Sequence, residues 1–283
     1  MPEQQTSPST EGVLNIFNKP MTVIGVVHCP PFPGSPRHAG ASIEAIYDAA
    51  LADARAYAEG GVDALIMENH GDIPFLRPDE IGPETAAFMT AVTARAIAET
   101  GLPTGVNILA NAPIHALAVA AASGAQFIRV NQWANAYVAN EGLLNGEAGR
   151  ALRYRQEIGA GHIAIFADSH VKHGAHAITG DRPIDELTRD LEFFDADVVI
   201  ATGHRTGDAV TREELAAIDD ATRLPVIVGS GVTLDNVATL HPRARGVIIG
   251  SSLKQEGKWE NPVAPERVNA FMAEVKRLRG QQA

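Results

Sequence analysis

The stretch His162–His176 reads HIAIFADSHVKHGAH. Its opening, His162 to Ala167, is an apolar run with the length and content of a buried strand. It then breaks at once into Asp168, His170, Lys172, His173 and His176. Parallel α/β proteins collect their ligands at the C-terminal ends of such strands, so a buried strand that ends in a carboxylate, an amine and imidazoles reads as one wall of a site. The plainer reading is a polar loop that happens to be histidine-rich. Against it, the neighbouring strands end in the same manner.

Working outward, the rhythm of short β-branched run, polar loop and alanine-rich amphipathic stretch repeats in both directions. Strands are predicted at Thr22–Val27, Asp63–Met67, Gly105–Ile108 and Gln126–Val130 before the central one, and at Asp197–Ala201, Pro225–Val228 and Gly246–Ile249 after it. Helices are predicted at Ser42–Glu59, Pro83–Glu99, Pro113–Ala122, Gly146–Ile158, Pro183–Phe194, Arg212–Asp220, Leu234–Leu240 and Pro265–Leu278. Their punctuation is regular: Ser42 is an N-cap, Gly60–Gly61 a stop, Thr211 with Glu214 a capping box, and Thr233 a further cap. Gln132–Asn145 reads as a long loop. Strict alternation of this many units, with right-handed crossovers, closes most simply into an α/β fold of one kind, a (β/α)8 TIM barrel. An open doubly wound sheet also alternates, but it usually has fewer strands and lacks paired glycine loops after the last two. No linker interrupts residues 21–283, which form one barrel domain. Residues 1–20 form a polar N-terminal extension, a mobile tail in which the apolar patch Val13–Phe17 could dock onto something.

The chain has 283 residues, 45% hydrophobic and 20% charged, enough for one large core. A net charge of −11 without a basic run argues against a nucleic-acid partner, since phosphate backbones need clustered Lys and Arg. Cys29 is the single cysteine, which excludes an internal disulfide and any multi-cysteine metal site. No apolar stretch approaches the ~20 residues that span a bilayer. Met1–Gly12 lacks the apolar core of a signal peptide. A soluble cytoplasmic protein without an integral membrane segment is expected.

Two loops suggest the ligand. Gly229-Ser230-Gly231 and Gly250-Ser251-Ser252 follow the last two strands, where such barrels often bind phosphate through backbone N–H groups and hydroxyls. Two tight turns that simply need glycine are the structural alternative. Lys254 either adds charge there or stands solvated at a helix start. Around the same mouth the strand ends would gather His28, Glu68, Asn69, Asp72, Asn107, Arg129, Asn131, Asp168, Lys172, His173, Thr202 and Thr206. Asp168 and Glu68 are the acid/base candidates, since enclosure tunes a carboxylate for proton transfer. Lys172 and His173 follow, as supports for developing charge. Arg129 lies within its strand and needs a carboxylate partner, Glu68 or Asp168, because a lone buried charge is costly. A structural ion pair beneath the site accounts for it equally well. No motif demands a cofactor. A divalent metal held by Glu68, Asp168 and one of His28, His170 or His173 is an open alternative, without a spaced ligand pattern to support it. His162 and His241 read as scaffold or surface.

Together VHCPPFPGSP (27–36), GGVDALIMENHGDIPF (60–75), GVNIL (105–109), GAQFIRVN (124–131), the AD..VKH frame (167–173), TGHRTG (202–207), GSGVT.DN (229–236) and SSLKQEG (251–257) resemble the BtpA/SgcQ family, in order and over almost the whole chain. The resemblance implies a TIM barrel of the phosphate-binding type. It also implies two kinds of role, photosystem I biogenesis and sugar or nucleoside metabolism. The chain departs from the family's pattern at Asn135–Gly142 and at Ser169-His170, and the first departure bears on the substrate. The expected function is an enzyme acting by acid/base chemistry (isomerase, lyase or hydrolase) on a small anionic, phosphorylated sugar or nucleoside-derived molecule. A non-catalytic assembly factor for a membrane complex and a phosphate-ligand sensor are the alternatives. Such barrels are by default homo-oligomers.

Overall fold

Strands buried on both faces must be covered on both, and this chain supplies a helix after nearly every strand to do so. The computed structural model describes residues 10–203 and 209–281. Its barrel strands are β1 (Thr22–His28), β2 (Ala64–Glu68), β3 (Thr104–Asn107), β4 (Phe127–Val130), β7 (Ala164–Asp168), β8 (Val198–Thr202), β9 (Val226–Gly229) and β10 (Gly246–Ile249). A separate antiparallel hairpin, β5 (Ala136–Ala139) and β6 (Gly142–Asn145), falls between β4 and β7. The parallel strands close in the order β1-β10-β9-β8-β7-β4-β3-β2, with β1 and β10 completing the ring. The expected TIM barrel is therefore the fold. The expected strand boundaries hold to within two residues; the central strand runs from Ala164 to Asp168, so its carboxylate belongs to the strand itself.

The covering helices are α2 (Ile43–Gly60), α3 (Pro83–Thr100), α4 (Pro113–Ser123), α5 (Ala148–Glu157), α6 (Ile184–Phe193), α7 (Arg212–Ala221), α8 (Val237–Leu240) and α9 (Pro265–Gly280), after a single turn α1 (Glu11–Leu14). Ser42 caps α2 by accepting from the Ala45 N–H at 3.2 Å, and Thr211 caps α7 by accepting from the Glu214 N–H at 3.1 Å. The helix expected from Leu234 begins only at Val237, because the Asn236 side chain folds back to accept from the Thr233 N–H at 2.9 Å. No helix among the described residues is long and apolar enough to cross a membrane.

Two features differ from the sequence reading. The stretch read as a loop, 132–145, contains the β5–β6 hairpin; Tyr137 and Leu144 point inward while Val138 and Leu143 stay exposed. The N-terminal patch is not a free docking segment. Val13 and Phe17 are buried in the cluster that fills the barrel interior, beside Ile24, Phe127, Phe166 and Ile200. The Phe17 ring lies 5.8 Å from that of Phe166, which stacks at 4.3 Å on Phe127. Thr22 Oγ1 donates to the Ile16 carbonyl at 2.6 Å and Thr10 Oγ1 to Asp197 at 3.2 Å. The segment thus crosses the N-terminal ends of the strands and closes the barrel floor. Gly105 makes the interior stack feasible: a Cβ there would stand 2.1 Å from the Phe127 ring.

Candidate active site at the barrel mouth

Parallel register sets the site. His28 pairs with Glu68 across β1–β2, and Glu68 with Asn107 across β2–β3, so three polar side chains end neighbouring strands at one level. Arg129, in β4, lies beside them and is buried. Its Nε donates to Asp168 Oδ1 at 3.1 Å and its Nη2 to Oδ2 at 3.0 Å, a two-pronged grip, while Nη1 reaches Glu68 Oε1 at 3.3 Å. Asn107 Nδ2 donates to the same Glu68 oxygen at 3.2 Å, and Asn131 Nδ2 to Asp168 Oδ2 at 3.1 Å. The guanidinium therefore has both of the carboxylate partners considered for it, as a buried charge requires. Both Asp168 oxygens are occupied by donors, which leaves Asp168 holding Arg129 in place.

The electrostatics follow from this packing. Burial works against the Arg129 charge, but Asp168 and Glu68 outweigh it and keep the guanidinium firmly protonated. Burial pushes the Glu68 carboxyl up; the adjacent His70, Arg129 and His28 more than reverse this and hold it well below the usual carboxylate range. Burial, and then His70, hold His28 well below the ordinary imidazole value. Lys172 is lowered from the usual lysine value by burial first and Arg129 second, against the pull of Glu68 and Asp168.

These groups share one cavity of about 330 Å³. His28, Glu68, His70, Arg129 and Lys172 line one side, and Ser230, Gly231, Gly250, Ser251 and Ser252 the other. Ser230 and Gly231 are left-handed at φ 74° and 66°. A serine held there is strained. Ser252 Oγ donates to the Val232 carbonyl at 2.7 Å and so ties the two loops together. Gly250 is needed for a further reason: a Cβ would stand 3.0 Å from the His28 ring. Lys254 is neither solvated nor in the cavity wall. It is buried and its Nζ bonds Asp53 of α2 at 2.6 Å, because the chain turns inward after Ser252. Asp53 also accepts from the Val263 N–H at 2.7 Å, anchoring the exit of the second loop.

The other expected residues take supporting places. Gly229 ends β9 beside Thr202. Thr202 Oγ1 donates to the His170 carbonyl at 2.5 Å. Asn69 and Asp72 bond each other at 3.2 Å, and Asp72 accepts from the Phe32 N–H at 2.8 Å. They line a second, smaller cavity of about 210 Å³ beside Phe32, Phe75 and Leu76. His173 is left-handed at φ 63° and is not among the described residues lining the main cavity. Thr206 lies outside the described residues. His170 and His176 pack ring to ring at 3.8 Å, and Tyr137 of β5 stacks on His176 at 5.5 Å, so part of the histidine richness is packing.

Three lining residues were not foreseen. Arg267, in the first turns of α9, bonds the Ser252 carbonyl at 3.1 Å. Trp259 packs its ring 4.5 Å from that of His70 and 5.9 Å from that of His28. Nothing local in the sequence marks either. His70 could have been found, since it stands two residues after Glu68 in the turn that leaves β2. The ligand atoms of His28, Glu68 and His70 all lie within 4.8 Å of one another. This is a different set from the metal ligands considered above, because Asp168 is taken up by Arg129.

A closed barrel of eight parallel strands, with ionisable groups and glycine loops gathered at its C-terminal mouth, defines a TIM-barrel protein. The chain belongs to the BtpA family, whose model matches residues 19–277. An uncharacterized protein of Archaeoglobus fulgidus is 42% identical to it over 255 residues, covering 90% of this chain and 98% of the relative. The photosystem I biogenesis protein BtpA of Synechocystis is 38% identical over 251 residues, covering 88% and 86%. Among solved structures, N-(5'-phosphoribosyl)anthranilate isomerase from Pyrococcus furiosus superposes with a TM-score of 0.55 at 14% identity, covering 91% of this chain and 99% of that one. That likeness shows the fold.

Proposed function

We propose that the protein is an enzyme acting on a phosphorylated small molecule, a sugar phosphate or a nucleoside-derived phosphate, at the barrel mouth. One observation carries the reading: a single cavity joins the two glycine–serine loops to His28, Glu68, Arg129 and Lys172. The phosphate would rest on the 229–231 and 250–252 loops, with Arg267 adding charge. The rest of the molecule would reach across to the ends of β1, β2 and β4. Lys172, whose enclosure makes the neutral amine more accessible, is the group placed for proton transfer, with Glu68, held well below the usual carboxylate range, beside it as a fixed negative charge. Asp168 enters through Arg129, as the group that fixes it. The names of solved barrels of this fold include a phosphoribosyl enzyme, which favours the reading without deciding the substrate.

The test is binding followed by turnover. Sugar phosphates and nucleoside phosphates, each beside its dephosphorylated counterpart, are titrated into the full chain and competed with inorganic phosphate. Phosphorylated members should bind and be displaced by phosphate. On a turned-over member, Lys172→Ala should lower kcat by about 10²–10⁴-fold, the usual loss of a positioned acid/base. Equal affinity for the dephosphorylated series would refute the phosphate assignment.

The Synechocystis relative's name favours a second reading, a factor in assembling a membrane complex. The patch Val13–Phe17 is used inside the barrel, so a partner would have to meet another surface. Assembly retained after joint replacement of Asp168 and Lys172 would favour this reading over the enzyme.

A further inference from the structure

We propose that His28, Glu68 and His70 bind a divalent transition metal of the zinc class at the floor of the mouth cavity. Two imidazoles and one carboxylate are a donor set that zinc, manganese and iron(II) accept, and three protein ligands leave coordination positions open. The fold brings the set together by register. His28 ends β1 opposite Glu68 at the end of β2, and His70 stands two residues further on, in the turn that leaves β2. One ligand atom from each lies within 4.8 Å of the others. Around a tetrahedral zinc with bonds of ~2.1 Å the donors sit about 3.4 Å apart, so small side-chain rotations close the site.

The surroundings are those of a held ligand set. Glu68 Oε1 is bonded by Asn107 at 3.2 Å and Arg129 at 3.3 Å, while Oε2 faces His70 Nδ1 at 3.8 Å. One oxygen is thus fixed from behind and the other presented forward, as outer partners orient a metal-binding carboxylate. Among the described residues, His28 Nδ1 and His70 Nδ1 are buried and find no hydrogen-bond partner. A buried ring nitrogen without a partner is costly unless something occupies it, and a cation would satisfy both. Trp259 packs against both rings and limits their rotation. Gly250 leaves the space that the His28 ring fills. All three ligands line the main cavity, so the open positions face whatever binds there. Only the further statement, that the metal would hold an oxygen of a phosphorylated ligand, rests on the proposed function; the metal site itself does not.

The untagged full chain is stripped with chelator and titrated with Zn²⁺ and with Co²⁺, reading stoichiometry by calorimetry and ligands by Co²⁺ visible absorption and X-ray absorption. One metal per chain with two imidazole ligands is expected. His28→Gln, Glu68→Gln and His70→Gln should each weaken Zn²⁺ by more than about 100-fold, the upper end of the loss from an outer partner. His241→Gln, remote from the set, should bind as the parent does. If a ligand variant does not fold, the imidazole count on the loaded parent chain decides. Failure of the stripped parent to take up one equivalent, fewer than two imidazoles on the loaded metal, or uptake that survives His28→Gln and His70→Gln would each overturn the proposal. Phosphate binding by the metal-free chain would, in that event, leave the proposed function standing.

Discussion

Removing the Arg129 guanidinium would leave two buried carboxylates, Glu68 and Asp168, without the cation they share. Breaking such a set from one side costs about 3–5 kcal/mol. Arg129→Met should therefore lower the free energy of unfolding in urea by that amount, far more than losing a surface pair. Lys172 supplies a second expectation. Its folded value lies below the ordinary lysine range because of burial and then Arg129. Between those two values the unfolded chain binds the extra proton, so this residue makes stability rise with pH there. Lys172→Met should remove that slope in unfolding curves taken across the alkaline range. In competitive amine labelling read by mass spectrometry, Lys172 should also titrate below the surface lysines. At this scale much was legible. A charged residue inside a β4 run demands a partner, and only Glu68 and Asp168 were at hand. The grip on both Asp168 oxygens was not legible, since a sequence places a carboxylate at a strand end without saying which way it turns.

Among the elements, the β5–β6 hairpin governs the loop that carries Lys172. Val138 and Ala175 exchange backbone hydrogen bonds at 3.1 and 2.7 Å, and Tyr137 stacks on His176. A Cβ at Gly174 would stand 2.3 Å from the Tyr137 ring, so the contact is close along its length. Tyr137→Ala should cost about 3 kcal/mol, as for a large buried ring. It should also raise amide hydrogen exchange across 170–176 while leaving exchange in β1 and β2 unchanged. Helices α2 and α7 could be read from their caps because a cap is a local contract between a side chain and an N–H three residues on. The hairpin could not. Its strands are short, its turn Asn140–Glu141 lacks the dipeptides that announce tight hairpins, and its packing partner Ala175 lies 37 residues beyond Val138.

For the whole molecule, the alternation of strand and helix carried the architecture, and closure followed from the number of strands. What it did not carry was the use made of the N-terminal patch. Val13–Phe17 has no telling period; only a finished barrel offers the hole it fills. Phe17→Ala should cost about 3 kcal/mol and lower the melting temperature measured by calorimetry, because it opens the interior against Phe166. A segment reserved for docking would leave the melting temperature unchanged.

The plug beneath the strands has one more consequence. Among the described residues the lower end of the barrel is packed shut, so a ligand in the mouth cavity must leave by the way it came. If the proposed enzymatic reading holds, product still seated there should compete with incoming substrate, raising the apparent KM and sparing kcat.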